Sequence, residues 1–121
     1  VGGSISPEME TPKLLWLKEN MPDTNHGAGD LFDLSDFLTW RATGDKRRSV
    51  CTVTCKWTFM AHENAWDASY FEQIGLNELI ENDFERIGST FVDTGTALGD
   101  ASLRPRLQNW AWIKERLLQQ V

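Results

Sequence analysis

The chain has 121 residues, 40% hydrophobic and 25% charged, enough for one modest domain with one small core. Twelve Lys and Arg against eighteen Asp and Glu give a formal charge of -6, which disfavours nucleic acid or an anionic membrane as partner, since both demand a basic face. Apolar runs are only a few residues long and no basic segment leads into one, so neither a bilayer span nor a secretory signal is expected. The first residue is Val1 rather than Met, as a piece of a longer protein would show.

Val1 to Pro7 is rich in Gly and Ser and suits a loop or an edge strand. Thr11 followed by Pro12 reads as an N-cap and first helical position, and Leu14, Leu15, Trp16 and Leu17 give that helix a broad apolar face, with Trp16 packing the core. Asn20, Met21 and Pro22 end it, and Asp23 to Asp30, with Gly27 and Gly29, is expected as a loop or a frayed turn. Leu31 to Asp33 fits a short strand. Asp33 or Ser35 caps a second helix carrying Phe37, Leu38, Trp40 and Ala42, closed by Gly44. Lys46, Arg47 and Arg48 read as a solvated basic loop. Val50 to Thr54 is β-branched and gives the clearest strand. Trp66 to Ile74 and Leu76 to Phe84 fit two short helices, Ser89 to Val92 a strand, and Gly95 and Gly99 a turn-rich exit. Short strands mixed with short helices imply an α/β fold whose main sheet lies elsewhere.

Cys51 and Cys55, placed on that strand, would face one side about 13 Å apart at about 3.3 Å per residue, too far for a disulfide. His26 and His62 are isolated, so zinc is not expected, and the thiols read as reduced ones of a cytoplasmic protein. No phosphate-loop, nucleophile-elbow or zinc-helix pattern is present. Glu8 and Glu10 stand at a helix entrance, where carboxylates favour the helix dipole. Lys56, beside Trp57, is either a surface lysine or a hydrogen-bond donor to a polyol. Asp36 is a residue of a helix first turn.

Several runs resemble the FGGY family of carbohydrate kinases. They are residues 1–20 with Thr-Pro-Lys-Leu-Leu-Trp-Leu-Lys-Glu-Asn at 11–20, Phe-Asp-Leu-Ser-Asp-Phe-Leu-Thr-Trp-Arg-Ala-Thr-Gly at 32–44, and Cys-Thr-Val-Thr-Cys-Lys-Trp-Thr at 51–58. Trp66 and Asp67, Ile74 to Leu76, and Val-Asp-Thr-Gly-Thr-Ala-Leu-Gly at 92–99 continue the likeness in collinear order over about residues 1–100. Within the family the chain is most like the D-ribulokinase-like branch, which acts on pentuloses and related polyols. Lys13, Trp16, Leu17, Glu19 and Asn20 fit the second half of the family signature. Glu8 and Glu10 depart from its first half, and a carboxylate at Glu8 in place of an aromatic favours a substrate more hydroxylated than glycerol.

The resemblance implies part of a ribonuclease-H-like, actin-like α/β domain, with residues 1–100 belonging to the sugar-binding domain of a two-domain kinase. It implies transfer of the γ-phosphoryl group of ATP, with Mg2+, to a sugar or polyol hydroxyl, D-ribulose being the model and xylulose or ribitol the alternatives. Glu8 and Lys56 are the substrate-binding residues it carries over. The catalytic aspartate is expected downstream of Gly99 and the phosphate loop upstream of Val1, so the chain alone is expected to be inactive and to bind no cofactor or metal. A homo-oligomer is left open. The competing reading is a non-catalytic interaction module whose C-terminal helix docks a partner.

Residues 101–121 stand apart from this pattern. They carry +3, against -9 for residues 1–100, and hold Trp110 and Trp112 of the six tryptophans. They read either as an amphipathic helix with Leu107, Trp110, Ile113, Leu117 and Val121 on one side, or as a frameshifted translation. Back-translated with permitted codons and reread two bases on, the tail yields Leu-Gly-Leu-Asp-Lys-Gly-Thr within a run like the family's own continuation. The frameshift predicts that DNA sequenced across codons 98–105 carries that run in the neighbouring frame; its absence there refutes the frameshift.

Overall fold

A computed structural model describes residues 4–99, so both readings of the 101–121 tail lie outside the described residues. Helix α1 spans Glu10–Asn20 and α2 spans Pro22–Gly27. Thr11 is not the cap of α1. Met9 takes that position, while Thr11 is buried in the first turn and accepts the Tyr70 hydroxyl at 3.3 Å. Pro12 is tolerated there because the first-turn N–H groups have no intrahelical partner. Pro22 does end α1, but it also opens α2, so the segment expected as a loop or a frayed turn is a short helix through Gly27. Trp16, expected in the core, is 57% exposed, while Leu14 enters the core and Leu15 packs against it.

Leu31 to Asp33 forms no strand; Leu31 instead donates its N–H to the Arg86 carbonyl at 2.7 Å. Helix α3 (Leu34–Thr43) has the expected ends. The Asp33 carboxylate accepts the Ser35 N–H at 3.0 Å, and Gly44 closes the helix in the left-handed conformation, φ 83°. Strand β1 (Arg48–Ser49) pairs in parallel with β2 (Phe91–Val92), Arg48 opposite Phe91 and Ser49 opposite Val92. This two-stranded parallel ladder among helices is compatible with the expected α/β class.

The clearest expected strand is a helix. Val50 to Lys56 forms α4, capped by Ser49, whose Oγ accepts the Thr52 N–H at 3.5 Å. Four of its seven residues are β-branched, yet β-propensity only describes fit to a pleated surface, and local capping and packing override it here. Val53 is 1% exposed and enters the core, while the Thr54 hydroxyl bonds back to the Val50 carbonyl at 2.6 Å.

Helix α5 (Ala68–Gln73) starts at the Asp67 cap. The expected helix over 76–84 is broken. A 3-10 turn, Asn77–Leu79, is followed by a short α6 (Glu81–Phe84) in which Asn82 and Asp83 are left-handed, with φ 52° and 57°. The core gathers Leu14, Val53, Trp57, Phe59, Trp66, Phe71, Leu76, Leu79 and Ile87. Trp66 is its polar anchor, donating its indole N–H to the Gly88 carbonyl at 2.8 Å while Phe59 meets its ring edge-on at 4.9 Å. Large apolar side chains also lie outside this core: Ile5, Trp16, Met21, Leu34, Phe37 and Leu38 are exposed.

Arg48, expected in a solvated loop, is 2% exposed. Its guanidinium donates to the carbonyls of Lys46 (2.6 Å), Ile87 (3.2 Å) and Leu31 (3.3 Å), lies 3.5 Å over the Phe32 ring, and has Asp30 at 3.9 Å. Burial lowers its pKa, and Asp30 and Asp36 oppose that. Lys46 and Arg47 do stay near the surface, paired with Asp30 and Asp45 at 2.6 Å each. Gly88 makes room for Arg48: a Cβ there would stand 2.5 Å from Arg48 Cγ, at φ 107°. Gly88→Ala is therefore expected to lower the stability of the chain by about 1–3 kcal/mol, read from urea denaturation, because it combines overpacking with a disfavoured φ. An unchanged midpoint would show that the arginine yields freely.

Candidate functional site

Glu8 lies in the turn that enters α1. The Met9 N–H closes that turn on the Ser6 carbonyl at 3.0 Å, and Met9 itself is 4% exposed, so the segment is pinned by its buried neighbour while Glu8 faces out. Lys13, one turn into α1, donates to the Glu8 carbonyl at 3.3 Å and to the Glu10 carboxylate at 2.8 Å. Glu10 therefore closes a local ion pair beside the helix start.

Lys56 ends α4, and its ammonium reaches the Glu8 carboxylate at 3.4 Å. The two expected substrate residues, 48 apart in sequence, thus meet across the α1 entrance and the α4 end. Glu8 is 80% exposed and Lys56 37%, so the pair is open to solvent and contributes little to stability, about 0–1 kcal/mol. Its value is chemical. A carboxylate accepts from hydroxyls and an ammonium donates to them, so neighbouring hydroxyls of a polyol can be held from both sides.

The position of Lys56 is set from the far end of its helix. Asp36, in the first turn of α3, is 5% exposed, and its Oδ1 accepts the Ser49 N–H at 3.1 Å. Ser49 then caps α4, Val53 anchors the helix in the core, and Lys56 emerges at its end. Ser35 also meets Thr52 of α4 through their hydroxyls at 3.3 Å. Sequence reasoning placed Asp36 correctly in a helix first turn but missed its burial; nothing in the local pattern marks it. The other Asp36 oxygen, Oδ2, is buried without a partner among the described residues. A polar cleft lined by residues such as Asp45, Arg47, Glu85 and Thr90 lies away from this pair, and its cations are already matched by Asp30, Asp45 and backbone carbonyls.

No protein-family model matches the chain. It is, however, 53% identical over 100 residues to an FGGY carbohydrate kinase domain-containing protein of Danio rerio, covering 82% of this chain and 18% of that protein. A Homo sapiens protein of the same description is 46% identical over 101 residues, covering 83% and 18%. The chain belongs to the FGGY carbohydrate kinase family and spans about a fifth of the length of these curated relatives. Inside that family its likeness extends to a D-ribulokinase of Saccharomyces cerevisiae, 42% identical over 95 residues, covering 74% of this chain and 13% of that one.

The titration of Asp36 tests the positioning chain. Burial is the main cause raising its pKa above the ordinary 3.8; the Ser49 N–H and Arg48 oppose, and Asp33 adds to the rise. The folded state thus holds this proton more tightly than the unfolded state, so stability falls as pH rises from the unfolded value through the raised folded one. Asp36→Asn removes that fall while keeping an oxygen for Ser49. Urea midpoints from about pH 3 to about pH 7 are expected to shift in favour of the variant as pH rises. A difference between the two proteins that is independent of pH contradicts the assignment.

Proposed function

We propose that this segment is part of the sugar-binding domain of an ATP-dependent kinase that phosphorylates a hydroxyl of a pentulose or polyol, with D-ribulose as the leading substrate. The observation that carries this reading is the meeting of Glu8 and Lys56 at 3.4 Å, supported by the D-ribulokinase likeness. Glu8 accepts hydrogen bonds from sugar hydroxyls and Lys56 donates to the sugar's oxygens. The pair is not assigned the chemical step.

The domain in this reading is actin-like, with its sheet continued from β1 and β2. The exposed Leu34, Phe37 and Leu38 of α3 support a larger domain around the segment. The role assigned to this segment in this reading is sugar recognition, with the ATP, Mg2+ and phosphoryl-transfer machinery assigned to the rest of the kinase, so that the chain by itself is inactive. Two unpaired cysteines support a reducing compartment such as the cytoplasm, and no helix among the described residues is long and apolar enough to cross a membrane.

The test is made in a full-length protein carrying this segment, assayed with ATP against D-ribulose, xylulose and ribitol. Glu8→Ala and Lys56→Ala are each expected to raise the KM for the preferred sugar by about tenfold or more, the scale of a hydrogen bond to a charged group, with the KM for ATP unchanged. Unchanged sugar KM and kcat in both variants would remove the two residues from the site.

A further inference from the structure

We infer that Cys51 and Cys55 together form a two-thiolate site for a soft, thiophilic metal or metalloid centre that accepts two sulfurs. Both thiols are free and exposed, and they lie four residues apart on α4. At 100° per residue the pair occupies one stripe, on the side of α4 away from Val53, which is 1% exposed in the core. The site therefore exists only because this segment is helical; on a strand the same cysteines would stand about 13 Å apart.

Helical geometry also selects the chemistry. Side chains at i and i+4 have Cβ atoms about 5–6 Å apart, whereas a disulfide needs about 3.5–4.5 Å. Direct oxidation to an intrachain disulfide thus requires the last turn of α4 to unwind. A bridging atom removes that conflict. Two sulfurs bonded at about 2.3 Å to one centre stand about 3.4 Å apart if the centre is pyramidal and about 3.8 Å if it is tetrahedral, within reach of the two Cβ–Sγ bonds. Thiolates select soft centres over magnesium or calcium. Among the described residues no third His, Cys, Asp or Glu joins them, so the fitting occupant is satisfied by two sulfurs. A trivalent arsenic carrying one organic group meets this condition. With phenylarsine oxide, two arsenic–sulfur bonds replace the bonds to oxygen, and the two thiol protons leave with that oxygen as water, without change of oxidation state.

The experiment titrates the full 121-residue chain with phenylarsine oxide and counts remaining thiols with a chromogenic disulfide, in native buffer and in denaturing urea. A single equivalent is expected to protect both thiols. Cys51→Ser and Cys55→Ser, at exposed positions, are each expected to weaken binding by about a hundredfold, since the second bond becomes impossible. Urea is expected to weaken binding of the unaltered chain by about tenfold, because the helix no longer presents the pair. Binding that is absent, equally tight in either single variant, or unaffected by urea overturns the inference.

Discussion

A single buried cation holds the described segment together. Arg48 carries a charge into a space where an unpaired guanidinium would be very costly, and the fold answers with three backbone carbonyls, one aromatic face and the Asp30 carboxylate. Those groups come from the loop before α3, the approach to β1 and the turn before β2. The segments converge because each satisfies the same fork of donors. Arginine suits this role better than lysine, since its planar guanidinium can serve several fixed acceptors at once. The absence of a side chain at Gly88 is the steric counterpart of that arrangement.

From this centre a short line of contacts leads to the surface chemistry. Arg48 opens β1, and Ser49, the next residue, is both a strand partner of Val92 and the cap of α4. Asp36 grips the Ser49 backbone from α3, so the direction in which α4 departs is fixed by two neighbours before its first turn is complete. The helix needs only seven residues to carry Lys56 out to Glu8. On the other side, Met9 and Thr11 are buried at the start of α1, which keeps the Glu8 turn from drifting. Two long side chains open to solvent thereby meet through supports that are themselves buried.

What the sequence disclosed divides along physical lines. Signals that act within a few residues were legible: a cap at Asp33 or Ser35, of which Asp33 serves, Gly44 as a left-handed stop, and a strand within 89–92 that forms at Phe91 and Val92. Signals that depend on distant partners were not. Four β-branched residues in α4 spoke for a strand, and only the cap at Ser49 and the core contact of Val53 made them helical. Arg48 looked like a solvent residue because its acceptors are backbone atoms, which leave no mark on side-chain patterns. Trp16 was grouped with an apolar face of α1 whose Leu14 is buried and whose Leu15 packs against the core, while Trp16 itself turns to solvent. The proximity of Glu8 and Lys56 could not come from spacing at all. They were named through likeness to FGGY kinases, and their juxtaposition is a property of the fold.

The parallel ladder has a consequence for how the chain reaches this state. Pairing Arg48 with Phe91 closes a loop of roughly forty residues, and only two residues on each strand repay that lost chain entropy. Such a ladder is too short to nucleate anything. The order of events must run the other way, with the cluster around Trp66, Phe71 and Leu76 assembling from contacts closer in sequence and bringing the strand ends together late. Substitutions in β1 and β2 should accordingly register in the rate of unfolding more than in the rate of folding.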